Sequence, residues 1–192
     1  MPARRVRPLA VVAIAMVLAL AVSVSGVLAH GRSEHDSGAL PAGSFAVTGD
    51  VQQKLRLNVA DLAAMPGQRR VDVTFHTGAS AEHHVYTGPL LLDVVARAAP
   101  RLDPAIKNDK LRHYVSVTAS DAYQALVAYG EIDPSFENKQ VLLAVTQDGA
   151  SLAGEGPRLV VPGDTAGGRY VTGVVQVRID KPRTEGDKLD VR

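Results

Sequence analysis

The chain has 192 residues, of which 46% are hydrophobic and 21% charged, with a formal net charge of +1. That length fits one folded domain plus a further segment, and the near-neutral balance argues against a nucleic-acid partner. There are no cysteines and no tryptophans, which excludes disulfides, zinc–thiolate sites and a cysteine nucleophile and leaves a mainly aliphatic core.

Residues 1–29 read as a secretory signal. Arg4, Arg5 and Arg7 form a positive start, Leu9 to Leu28 is almost wholly apolar, and Val27-Leu28-Ala29 offers the small residues of a cleavage site. The apolar run is also long enough to serve as a membrane anchor. Arg4-Arg5 resembles a twin-arginine start, but Arg7 and Pro8 stand where apolar residues belong. General secretion is therefore the expectation, with His30 as the mature amino terminus. Residues 30–43 have the composition of a linker. His30, His35 and Asp36 in it could chelate Cu²⁺ or Zn²⁺, although a solvated tether explains them as well.

A domain is expected over residues 44–180, followed by a charged tail at 181–192. Phe45 to Gly49 and Leu55 to Val59 read as strands, and Asn58 can cap a short helix that Pro66-Gly67 stops. Arg70 to Thr77 alternates, with Val71, Val73 and Phe75 on one face and Asp72, Thr74 and His76 on the other. Residues 78–82 read as a loop and His83 to Tyr86 as a short strand. His83 and His84 then face opposite ways, while His84 and Tyr86 share a face and could line a pocket with His76. Pro89 to Ala99 reads as a helix with a buried stripe of Leu90, Leu91, Val94, Val95 and Ala98.

Further on, His113 to Thr118 and Tyr123 to Tyr129 read as strands around a turn at Asp121. Asp133-Pro134 starts a short turn or helix. Val141 to Gln147 reads as one continuous central strand, ended by the tight-turn pair Asp148-Gly149. Many short strands with few short helices predict a mixed α+β domain.

The stretch with most chemical content is residues 154–171. Leu159, Val160 and Val161 form an apolar strand that Pro162 ends. Gly163, Gly167 and Gly168 follow in a loop, and a second strand is expected from Arg169 to Ile179 with Val171, Val175, Val177 and Ile179 on one face. Arg158 and Arg169 stand at the two mouths of the loop. Two guanidinium forks beside glycine-presented N–H groups can make an anion site. An ordinary β-connection with two solvated arginines fits the residue types too, because the loop lacks both the P-loop and the dinucleotide spacing.

Gly-Pro-Arg-Leu-Val-Val-Pro-Gly at 156–163, with Gly-Gly-Arg-Tyr-Val at 167–171, resembles the C-terminal signature of the oxidoreductase molybdopterin-binding domain, which has the sulfite-oxidase-like fold. Tyr86 to Val95, Tyr114 to Tyr123 and Val141 to Leu152 resemble three upstream segments of that family in the same order. The resemblance covers roughly 45–180. It implies an α+β domain with mixed, mostly antiparallel sheets, an oxidoreductase ancestry and a molybdopterin ligand. On it, Arg158, Gly163, Gly167, Gly168, Arg169, His76 and Tyr123 are the implied cofactor-binding residues.

One departure stands out. In the resembled enzymes a protein cysteine joins the pterin dithiolene on molybdenum, at the end of the strand corresponding to Arg70–Thr77. Here His76 or Thr77 occupies that place and no cysteine exists in the chain. Two readings follow: an exported protein of this fold that binds a pterin or another small anion, or a non-catalytic binding module that kept the fold and lost the metal. No catalytic residue is assigned on either.

Overall fold

The computed structural model describes residues 41–182. The expected signal, the histidines of the linker and most of the charged tail lie outside the described residues.

The described residues form eleven strands and three short α-helices: β1 (Ser44–Gly49), β2 (Leu55–Asn58), α1 (Val59–Ala63), β3 (Arg69–Thr77), β4 (Ser80–Gly88), α2 (Leu91–Arg97), β5 (Tyr114–Ala119), β6 (Gln124–Ala128), α3 (Tyr129–Ile132), β7 (Leu142–Ala144), β8 (Thr146–Gln147), β9 (Ala150–Ser151), β10 (Arg158–Val160) and β11 (Val174–Asp180). They form a five-stranded sheet ordered β2-β1-β11-β5-β6, a four-stranded sheet ordered β3-β4-β8-β9, and the ribbon β10-β7. The pair β1–β11 is parallel and every other strand pair is antiparallel. The expected α+β fold, with mixed, mostly antiparallel sheets and a few short helices, is the fold observed.

The helices follow their local signals. Asn58 caps α1 through a reciprocal box: its side chain accepts from the Asp61 N–H at 3.0 Å, and Asp61 accepts from the Asn58 N–H at 2.9 Å. In α2, Leu91, Val94 and Val95 are fully buried, as is Ala98 beyond its end. Leu90 is the N-cap residue rather than part of the helix, so α2 is shorter than the sequence expectation.

Two apolar cores result. The larger lies between the five-stranded sheet and the helices, with Phe45, Val47, Leu62, Leu91, Val115 and Val177 at its centre. The smaller gathers Phe75, Tyr86, Leu142, Val160 and Tyr170. The ribbon β7–β10 is the wall between them. Leu143 and Leu159 point into the larger core, Leu142 and Val160 into the smaller. A strand buried on both faces is apolar at every position, which is why the run at 141–145 shows no alternation. Close approach to this wall also requires Gly88, where a Cβ would stand 2.3 Å from the Leu143 carbonyl oxygen.

Three expectations are corrected. Val141–Gln147 is not one strand: a bend at Val145 sends Leu142–Ala144 to the ribbon and Thr146–Gln147 to the four-stranded sheet. The segment 80–82 is not loop but the start of β4, joined to β3 by a turn in which Gly78 takes φ +62°. The last strand begins at Val174, not Arg169. Residues 167–169 form a 3₁₀ turn, and a register shift between Val174 and Gln176 buries Val174 in place of Val175.

Candidate functional site

Arg158 opens β10 opposite Ala144, beside β8 and the C-terminal half of β4. Its Nη1 donates to the Gln147 Oε1 and, at 3.3 Å, to the Tyr86 hydroxyl. Its guanidinium carbon stands 5.8 Å from the centre of the Tyr86 ring. Nε is buried and finds no acceptor, and Nη2 has no protein partner among the described residues. Tyr86 is fully buried, and that burial pushes its hydroxyl above the usual phenol range despite the opposing pull of Arg158.

From Gln147 the polar contacts continue to His84, with Gln147 Nε2 3.2 Å from His84 Nδ1. The same ring nitrogen lies 2.7 Å from Asp148 Oδ2. Asp148 sits in the β8–β9 turn with φ +51°, followed by Gly149 at +83°, as a two-residue hairpin turn requires. Its other oxygen accepts the Val85 N–H at 2.8 Å. That backbone bond first, and His84 second, hold the Asp148 carboxyl below its usual range. His84 and Tyr86 share a face as expected, with ring centres 5.8 Å apart.

His76 does not join them. The β3–β4 register pairs Val71, Val73 and Phe75 with Tyr86, His84 and Glu82, which places those six on the inner face. His76 pairs with Ala81 on the other face and is exposed. Its backbone N–H, not its imidazole, meets the glycine-rich loop, donating to the Thr165 carbonyl at 2.8 Å. Behind β3 the space is filled. Phe75 is 3% exposed and stacks on Tyr170 with centroids 4.1 Å apart.

The loop at 162–170 is tied down on three sides: to β3 through His76, to the β5–β6 turn through Tyr123, and to α3 through Arg169. Tyr123 is half exposed, and its hydroxyl donates to the Gly168 carbonyl at 2.5 Å. Of the three loop glycines, Gly163 alone has a positive φ, +91°. Gly167 is needed for a different reason, since a Cβ there would stand 2.9 Å from the Phe75 ring.

Arg169 is committed to two carboxylates. Its Nε and Nη2 each lie 2.7 Å from an Asp164 oxygen, and its Nη1 lies 3.0 and 3.2 Å from the two oxygens of Glu131. The bond to Asp164, then those to Glu131, raise its pKa well above the ordinary arginine value despite partial burial. Burial pushes Glu131 upward, but the Ala128 N–H, Arg169 and Lys139 outweigh it and hold the carboxyl below its usual range. Arg169 is therefore an ion-pair residue that ties the loop to α3. Among the described residues Arg158 and Arg169 share no partner, and carboxylates already occupy the fork of Arg169.

The network Arg158–Gln147–His84–Asp148 was not assembled by sequence reasoning. Its only local signal was the His84–Tyr86 alternation and the Asp148-Gly149 turn. Gln147 and Arg158 join it through the β8–β4 and β10–β7 registers.

No family model matches the chain, and no curated protein matches it. Among solved structures it is similar to the crystal structure of the sulfane dehydrogenase SoxCD from Paracoccus pantotrophus, with a TM-score of 0.56 and 19% sequence identity. That match covers 71% of this chain and 37% of the other, so this chain spans well under half of the structure it resembles. At that identity the likeness establishes the fold.

Proposed function

We propose that this protein is a non-catalytic binding module on a molybdopterin-oxidoreductase-like fold, acting outside the cytoplasm and engaging a small anionic ligand through Arg158. The observation that carries the reading is the state of the place where a molybdenum site would stand. The soft thiolate that the sequence resemblance calls for has no counterpart, because the chain contains no cysteine. His76 at that position faces away from Arg158 and Tyr86. Phe75, Tyr170 and Gly167 close the space behind it, and Arg169 is neutralised by Asp164 and Glu131. These residues do not fit a molybdenum–pterin centre of the implied kind.

Arg158 is different. It keeps unpaired donors beside a buried hydroxyl, with Gln147 and the Tyr86 ring holding its plane. A pterin phosphate and a free oxyanion offer the same chemistry to those donors. The test is calorimetric titration of the folded protein with sulfate, phosphate and a reduced pterin, repeated for Arg158→Ala and Arg169→Ala. A charge-assisted bond at Arg158 makes Arg158→Ala weaken the preferred anion roughly 10-fold or more, whereas Arg169→Ala leaves affinity unchanged at a temperature where it is folded. Equal losses at both arginines would restore the two-arginine site. No binding of any of the three would sink the assignment to Arg158.

A further inference from the structure

An open groove of about 930 Å³ lies away from the Arg158 network, between α2 and the segment that joins β2 to β3. This size is within the range of small-molecule sites. Its floor is apolar: Leu57 of β2, then Ala64, Met65 and Pro66 at the end of α1. Met65 is 6% exposed, so it is rooted in the larger core and only its edge reaches the floor. The facing wall is the side of α2 turned away from the core, with Asp93, Ala96 and Arg97.

Side-chain caps at both ends of α1 fix one edge of the groove. At one end the reciprocal Asn58–Asp61 cap fixes the first turn of α1. At the other, Gln68 Nε2 donates to the Leu62 and Met65 carbonyls at 2.8 and 2.9 Å, which closes the C-terminus of α1 and sets the Pro66-Gly67 bend. The bend lies against the Asp93 carboxylate, since a Cβ on Gly67 would stand 3.8 Å from Asp93 Oδ2.

Asp93 is half-buried, yet among the described residues it has no ion-pair or side-chain hydrogen-bond partner. Arg97, one helical turn later, is exposed and does not pair with it. With Asp61 the groove carries two acids against one base. A carboxylate at the edge of an apolar floor recognises a cation that can also bury hydrocarbon. It is a poor cation site for a bare metal, which needs several oxygen ligands.

We propose that this groove binds a small organic ammonium ion with an apolar body, the ammonium group on Asp93 and the body on Leu57, Ala64 and Met65. The site shares no residue with the Arg158 network and stands or falls independently of it.

The test is calorimetric and amide-NMR titration of the full chain at neutral pH with n-hexylamine, n-hexanol and n-hexanoate. Hexylamine is expected to bind in the millimolar range and to shift amides of residues 57–67 and 91–97. Hexanol is expected to bind roughly fivefold more weakly and hexanoate more weakly still, from the loss and then the reversal of the charge term. Asp93→Asn should cost hexylamine roughly 5- to 10-fold and leave hexanol unchanged. Ala96→Lys changes an exposed position and places a like charge in the groove, so it decides the matter should Asp93→Asn fail to fold. Equal binding of the three probes, an unchanged hexylamine affinity in either folded variant, or no shift at those amides would overturn the proposal.

Discussion

Replacing Arg169 by alanine gives the sharpest test of how the glycine-rich loop is held. The substitution removes a fork with two 2.7 Å bonds to Asp164 and two longer contacts to Glu131. The side chains of Arg169, Asp164 and Glu131 are 29%, 17% and 22% exposed. That lies between the surface pair, worth about 0–1 kcal/mol, and the buried one, whose breakage costs about 3–5 kcal/mol. An expected loss of about 2–3 kcal/mol follows, since Asp164 is left half-buried without its counter-ion and Glu131 keeps only the longer Lys139 contact at 3.5 Å. In a domain of this size that lowers the melting temperature by roughly 6–12 °C. The effect has a pH signature. Glu131 is held below its usual value in the folded protein, so its contribution is present above the ordinary glutamate range and disappears as pH falls through the lower folded value. Melts of the two proteins should therefore differ widely at neutral pH and converge in acid. Arg169→Lys keeps the charge but loses the fork and should fall between them. A neutral-pH melt of Arg169→Ala within about 1 °C of the parent would refute this reasoning and return Arg169 to the cleft.

Other outcomes follow from the same geometry. Gly167→Val drives a side chain into the Phe75 ring and should cost about 1–3 kcal/mol in chemical denaturation, with Phe75→Leu recovering part of the loss. Burial pushes Tyr170 up to about 12 and raises Tyr86 and Tyr129 as well. Absorbance titration should therefore show three of the five tyrosines resisting ionisation beyond the ordinary value of 10.0. The sign is that of raised pKa values: stability is intact below the ordinary phenol value and is lost as pH climbs through the folded ones. Three phenols ionising together near 10 in the folded protein would contradict the burial. Amino-terminal sequencing of the mature protein should begin at His30, and an intact Met1 in the membrane fraction would favour an anchor.

The sequence was most legible where one face of an element meets one core. Val71, Val73 and Phe75 alternate because the β3–β4 hairpin is buried on one side only, and Leu91, Val94 and Val95 mark the inner stripe of α2. It was least legible where an element serves two cores or changes partner. The run at 141–145 is apolar throughout because β7 is a partition, and nothing local marks the bend at Val145 where the chain changes sheets. Residues 80–82 lack an apolar face because they pair at the exposed end of the hairpin, so the start of β4 carried no pattern. The partners of the candidate site residues were hidden for a related reason. Asp164 is five residues from Arg169, a spacing that could have warned of a pair, but Glu131 reaches it across 38 residues. The face of His76 depended on strand register, which the alternation did give, whereas the position of Arg158 against Tyr86 depended on contacts 72 residues apart.

On the proposed reading, this fold has parted from molybdenum chemistry and keeps a binding surface at Arg158. The most direct measurement is molybdenum by mass spectrometry and pterin by fluorescence after oxidation, on protein purified from its native envelope under cofactor-replete growth. The expected result is no molybdenum in stoichiometric amount, whether or not pterin is held at Arg158. About one molybdenum and one pterin per chain would contradict the account, and would mean that a ligand other than a cysteine thiolate holds the metal on this fold.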